Sequence, residues 1–182
     1  MFHGLLLPDY NKVSKYEGKG NFAVRKYYKL PYAPFYRHKL NMILDMMDKN
    51  TNYNSVLDYG AGKAELFKRT LEARARKVKC VDIGDRLDKS DKFDMIVCAS
   101  VLEFVNLNLV IPYFKSILLP GGSLVGASPM DTPLSRLYFK LIKDGNKRNS
   151  DLEILRQLHK HFWVVKKKKW LGLYFSFRAY PK

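Results

Sequence analysis

Residues 55–64 read SVLDYGAGKA: a short apolar run closed by an acid, then two glycines one residue apart, then a segment of helical character. A run of this kind bounded by turn residues reads as a buried strand, and the order strand, acid, glycine pair, helix describes a strand that stops at a ligand. Gly60 and Gly62 let the backbone turn sharply and come close to a bound molecule, and the small Ala64 lets the next helix pack near the strand. A dinucleotide fingerprint would need glycine or alanine at position 65, where the chain has Glu65, so the nicotinamide reading weakens.

The rest of the chain reads as strands alternating with helices. Helical spacing of Phe35, Leu40, Ile43, Leu44 and Met47 predicts a helix over 34–49. Strands follow at 54–58, 77–83, 93–99 and 123–127, with helices at 63–75 and 107–119; LPGG at 119–122 reads as a helix stop and a turn. Segments 132–143 and 150–161 read as helices, the second opened by Ser150 with Glu153 three residues on. The aromatic-rich runs 162–165 and 173–179 read as an antiparallel hairpin joined by a basic turn, Lys166 to Lys169. This alternation predicts a parallel sheet with helices on both faces. At 182 residues the chain is expected to form one domain: an N-terminal lid and helix (1–50), a core (54–128), an insertion (129–161) and a terminal hairpin (162–182).

The order of motifs is specific. D-x-G-x-G-x-A at Asp58 to Ala64 resembles motif I of the class I S-adenosylmethionine (SAM) dependent methyltransferases. Asp82, 24 residues after Asp58, stands where such sheets place an acid for ribose hydroxyls. KFDMIVCASVLEFV at 92–105 and LLPGGSLVGASP at 118–129 are similar to the family's fourth-strand motif and to the helix end, turn and fifth strand that follow. The match covers about residues 54–129 and the terminal hairpin, and is nearest to the small-molecule, quinone-biosynthesis-like branch.

The resemblance implies a Rossmann-like, doubly wound, mostly parallel sheet with a C-terminal antiparallel hairpin, and SAM as cofactor. Asp58 would act near the cofactor's ammonium end, and Gly60 and Gly62 would approach its methionyl part. Asp82, with Ile83 beside it, would hold the ribose, and Ala99 and Ser100 would line the adenine and methyl region. Glu103, Tyr28 and Asp131 are substrate-side candidates. No metal site is expected.

Two departures stand out. Only eleven residues separate Asp82 from Asp94, too few for the usual helix, strand and loop, so the third strand is expected to be missing, with a turn near 84–91 and strand order 2-1-4-5-7-6 in the family's numbering. Phe104 stands where the small-molecule branch often has histidine, so a histidine base is not implied there. His3, His38, His159 and His161 receive no catalytic assignment, and His38 is expected at a helix surface. Methyl transfer from a sulfonium rests mainly on alignment, and a base is needed only for a protonated acceptor.

Charge bears on the acceptor. The chain carries +16, distributed as +5 over residues 1–56, +2 over 57–128 and +9 over 129–182. The excess lies on the flanks that would build the substrate side and favours anionic partners. A small or lipid-linked anionic acceptor is therefore expected, with RNA methylation or a non-catalytic basic binding module as alternatives. Against two nucleic-acid classes, the loop Ala99, Ser100, Val101, Leu102 lacks an Asp/Asn-Pro-Pro-aromatic sequence, and Cys98 lies within a strand. Cys80 and Cys98 read as small core residues. No apolar stretch approaches a membrane span, so the expected location is cytoplasmic.

Overall fold

The most continuous apolar runs build the middle of the sheet. In the computed structural model, which describes residues 33–48, 50–61, 67–83, 85, 87–88, 90–141 and 149–182, strands β1 (Tyr53–Tyr59), β2 (Ala75–Val81), β3 (Phe93–Ala99) and β4 (Leu118–Pro129) are parallel. Strands β5 (Phe162–Trp170) and β6 (Tyr174–Pro181) form an antiparallel hairpin, and β6 pairs antiparallel with β4. The order is β2-β1-β3-β4-β6-β5. Helices α1 (Ala33–Leu44), α2 (Lys68–Glu72), α3 (Leu107–Ile117), α4 (Pro133–Leu141) and α5 (Asp151–His161) complete the described elements.

Side chains alternate across the strands and give the sheet two apolar faces. Leu57, Ile96, Leu124 and Phe177 pack under α3 and α5 with Ile111, Phe114, Ile154 and Leu158. Val56, Met95, Val97 and Val125 pack under α1 and α2 with Ile43, Met46 and Leu71. Beyond the end of β4, Met42 of α1, Tyr138 and Phe139 of α4, and Leu173 and Tyr174 form a smaller cluster.

The expected loss of the third strand is observed: β2 is an edge strand, and no strand forms among the described residues between Val81 and Phe93. The chain there is folded into turns, with Asp85 N–H donating to Asp82 O (3.1 Å) and Asp91 N–H to Asp88 O (3.0 Å). Lys79 ties the segment back to β2 through Asp91 (2.5 Å).

Several local expectations need correction. LPGG is not a free turn, because β4 already begins at Leu118 and the glycines form an irregularity inside it. The register with β3 shifts there, and a Cβ on Gly122 would press on the carbonyl oxygens of Leu119 (2.9 Å) and Asp94 (3.0 Å). The helix expected to reach 75 ends at Glu72, and Ala75 already belongs to β2. The helix expected to reach 49 ends at Leu44. Lys166 to Lys169 are not the hairpin turn: they continue β5, and the reversal falls on Leu171 and Gly172, with Leu173 N–H donating to Trp170 O (2.8 Å). The cap of α5 forms as expected, Glu153 N–H donating to Ser150 Oγ (3.1 Å), but the Glu153 carboxylate bonds Gln157 and Arg156. The lid expected over 1–33 lies almost wholly outside the described residues.

Candidate functional site

Parallel strands end together, and the groups at their C-terminal edge converge on one crevice. Asp58, one residue from the end of β1, is buried at 2% exposure in register with Val97 of β3. Beyond Tyr59 the chain reverses at Gly60, whose φ of +78° is costly for any residue with a Cβ. A Cβ there would also run into the Val101 side chain, so the loop after β3 lies directly on this turn. Gly60 and Ala61 both donate N–H bonds to Val81 O (2.8 and 3.1 Å), which folds the glycine turn over the end of β2 and beside Asp82. Gly62 lies outside the described residues.

Asp82 is partly buried and shapes a tight acidic turn. Its Oδ1 accepts from Ile83 N–H (2.8 Å), and its own N–H donates to Asp85 Oδ2 (2.6 Å). Ile83 is 48% exposed and leaves an apolar side chain at the open edge where the third strand would otherwise stand. At the end of β3, Ala99 and Ser100 are partly buried; Ser100 has φ +60° and is fixed by its N–H bond to Ala127 O (2.7 Å). The Ser100 hydroxyl accepts from Lys39 Nζ (2.9 Å).

Glu103 is buried, accepts from Ser128 Oγ (3.2 Å), and belongs to a loop held by Asn149, whose side chain donates to Leu102 O and Val105 O, both at 2.8 Å. The Cys98 thiol is pushed well above its ordinary range by burial and then by the carboxylates of Glu103 and Asp58. It is a buried core group and donates to Val125 O (3.7 Å). Asp131 stands on the exposed rim, where the Arg136 guanidinium (2.7 Å) holds its carboxyl below the usual range. Tyr28 lies outside the described residues.

Sequence reasoning missed Lys39. It is buried in α1 at 2% exposure, 4.5 Å from the Tyr36 ring centre and 5.7 Å from that of Tyr174. The signal was present: Lys39 shares a helical face with Phe35, Met42 and Ile43, so a cation interrupts an apolar stripe. His38 is not a plain surface residue. Its ring stacks on Trp170 at 4.0 Å, and partial burial, followed by the Lys168 charge, lowers its pKa against the pull of Asp45.

Among the described residues, carboxylates thus dominate the glycine turn: Asp58 beneath it and Asp82 with Asp85 beside it. Such a turn repels a pyrophosphate and suits a ligand with a cationic group and hydroxyl donors. Among the described residues no cluster of metal-ligating side chains is present.

No family model and no curated protein matches the chain. Among solved structures, it is similar to the N-methyltransferase NodS from Bradyrhizobium japonicum WM9 in complex with S-adenosyl-L-homocysteine (16% identity, 94% of this chain and 97% of that one, TM-score 0.67). It is also similar to geranyl diphosphate C-methyltransferase from Streptomyces coelicolor A3(2) (11% identity, 83% and 81% coverage, TM-score 0.57). A third likeness is to a ribosomal protein L11 methylase from Lactobacillus delbrueckii subsp. bulgaricus (20% identity, 79% and 76% coverage, TM-score 0.53). The fold is that of the class I SAM-dependent methyltransferases, here with a six-stranded sheet.

Proposed function

We propose that the chain is a SAM-dependent methyltransferase acting on a small or lipid-linked, anionic acceptor. The observation that carries this reading is the acidic glycine turn at the C-terminal edge of a methyltransferase fold, with buried Asp58 under Gly60 and Asp82 at the end of β2. The donor set fits the cofactor. Asp58 offers a carboxylate for the ammonium of the amino-acid part, Gly60 and Gly62 admit close backbone approach, and Asp82 accepts from the ribose hydroxyls. Ile83 supplies apolar surface for the adenine at the open edge, and Ala99 and Ser100 line its inner wall. Bound there, the cofactor supplies a methyl group already activated by the positive sulfur.

The protein's share of the chemistry is then alignment and exclusion of water. Ser100, held by Lys39 and by Ala127 O, fixes the end of β3 where the acceptor must meet the methyl group. Glu103, in the loop pinned by Asn149, is a substrate-side group, and Asp131 and Tyr28 remain candidates at the rim and in the N-terminal segment. The anionic acceptor is supported by the +9 carried over 129–182 and by buried Lys39. RNA is less favoured because two of the four lysines in the run, Lys166 and Lys168, are engaged at the surface by the Asp45 carbonyl (2.6 Å) and carboxylate (2.9 Å).

Calorimetry with SAM and with S-adenosylhomocysteine tests this reading. One site is expected, and Asp82→Ala should weaken it by about 1–3 kcal/mol, the worth of a hydrogen bond to a charged group. No heat with either ligand, from protein shown by circular dichroism to be folded, would leave the non-catalytic binding module as the answer.

A further inference from the structure

Helix α4 carries an apolar stripe that the fold does not use. Leu134, Leu137 and Leu141 fall at i, i+3 and i+7, one face of a helix, and are 51%, 55% and 59% exposed. The helix cannot roll to hide them. Its opposite face is fixed by Ser135, Tyr138 and Phe139, the two rings packing edge-on (5.2 Å) in the cluster with Met42, Leu173 and Tyr174. Arg136 and Lys140, both exposed, flank the stripe on the side away from Tyr138; Arg136 is paired with Asp131 (2.7 Å), which leaves Lys140 as the uncompensated cation beside the leucines.

The tip of the β5–β6 hairpin extends the same surface. Thr132, at the start of α4, donates its hydroxyl to Gly172 O (2.6 Å), and Met130 N–H donates to Leu173 O (2.9 Å), so two hydrogen bonds join the tip to the chain entering the helix. Leu171 at that tip has φ +46° and is 65% exposed. Two successive left-handed residues make a turn that favours asparagine or glycine at the first position. A leucine there is unfavourable both in backbone conformation and in hydration. Lys167 and Lys169, exposed and paired with Phe177 and Phe175, stand on the sheet face opposite α4, so they add positive charge on the far side of the tip and not within the leucine stripe.

We infer that α4 and the β5–β6 tip form a docking face for an anionic lipid surface, into which Leu134, Leu137, Leu141 and Leu171 insert while the basic residues meet the headgroups. Aliphatic side chains rimmed by lysine and arginine are the composition of an interfacial helix. A nucleic acid would call for exposed aromatic rings to stack on bases, and this face offers leucines. Attachment through these side chains is peripheral; among the described residues no helix is long and apolar enough to cross a membrane. Because α4 follows the C-terminal end of β4 directly, the docked face borders the acceptor side of the crevice. This inference goes beyond the methyl-transfer reading and does not depend on it.

The test is flotation of the full chain, without cofactor, on vesicles of phosphatidylcholine mixed with phosphatidylglycerol and on phosphatidylcholine alone. The protein should float with the anionic vesicles and far less with the neutral ones. The triple variant Leu134→Ser, Leu137→Ser, Leu141→Ser should lose at least about tenfold in partitioning, since binding scales with the apolar area inserted. Its circular dichroism should be unchanged because the replaced side chains are exposed. Leu171→Gly, which relieves the turn, should also weaken flotation while preserving or raising the melting temperature. The inference is overturned if the wild-type chain stays unbound, if the triple variant floats equally well, or if an RNA duplex displaces the vesicles with affinity indifferent to the leucines. Sedimentation velocity showing a dimer that the triple variant dissolves would overturn it too, assigning the face to a second copy of the chain.

Discussion

The two edges of the sheet are finished in opposite ways. At the β2 edge the chain saves material: a strand and its helix are gone, and a short acidic turn from Asp82 to Asp91 closes the gap with backbone bonds and one tie from Lys79. At the β5 edge it spends material on a long hairpin of nine and eight residues, clamped to the segment just after α1, Asp45 to Asp48, by Arg178, Lys166 and Lys168. One edge is therefore held by local backbone bonding, the β1–β2 ladder and the glycine turn at its end, and the other adds several charged contacts between segments distant in sequence. Electrostatically the contrast also fits the proposed roles, with acids where a cationic cofactor would lie and bases where an anionic acceptor or lipid would arrive.

Substitution at Gly60 tests this contrast most severely. Gly60→Val must hold a branched residue at φ +78° and push against Val101, itself stiff about χ1. The left-handed backbone costs about 1–2 kcal/mol and the overpacking about 1–3 kcal/mol. For a chain of this size the melting temperature should fall by roughly 10 °C. Gly60→Asn sharpens the result, because asparagine tolerates the backbone but still carries the Cβ. If Asn were as stable as wild type, the contact with Val101 would not be what fixes the turn. An unaltered melt for the valine variant would mean that the glycine turn contributes little to this edge.

Arg178→Met comes next. The guanidinium is buried on β6, donates to Asp48 (2.5 Å) and to Met46 O (3.4 Å), and lies 5.0 Å from the Tyr180 ring. Methionine keeps much of the volume but leaves these acceptors without their donor, so about 1.5–3 kcal/mol should be lost in urea denaturation. If the loss exceeded that from Gly60→Val, the hairpin edge would be more concentrated in one residue than the glycine edge, and the comparison would fail.

What the sequence revealed follows the same division. The places of Asp58, Gly60 and Asp82 in the fold were legible because each is set by its immediate neighbours: an apolar run that stops, a glycine at a reversal, an acid just past a strand end. The absent third strand was legible because eleven residues cannot hold a crossover. The hairpin turn was misplaced because local preference puts a reversal on polar residues, whereas tertiary contacts hold Lys166 and Lys168 in β5 against Asp45 and leave the turn to Leu171. LPGG was misread because the close approach of the Asp94 carbonyl, 28 positions before Gly122, is invisible in the tetrapeptide itself. Lys39 was missed for a related reason, its partner Ser100 lying 61 positions away.

The smallest expected effect is in the pH dependence of the hairpin edge. The Asp48 carboxyl is held below its ordinary value, first by the hydrogen bond from Arg178, which outweighs the burial penalty next in size, and then by the Arg178 charge, the Tyr53 hydroxyl and the Lys166 charge. A carboxyl depressed in the folded state binds fewer protons there than in the unfolded chain near its ordinary pKa. Its contribution is thus complete above the unfolded value of about 3.9 and lost as pH falls through the lower folded value. Because half of the Asp48 side chain is exposed, solvent screening limits the effect of Asp48→Asn to about 0.5–1 kcal/mol near neutral pH. Urea denaturation of both proteins should show that difference at about pH 7 and little of it near pH 2, below the ordinary carboxylate range. A difference that persisted undiminished in acid would mean that the asparagine disturbs the Tyr53 and Met46 contacts sterically, and that charge is not what fastens α1 to β6.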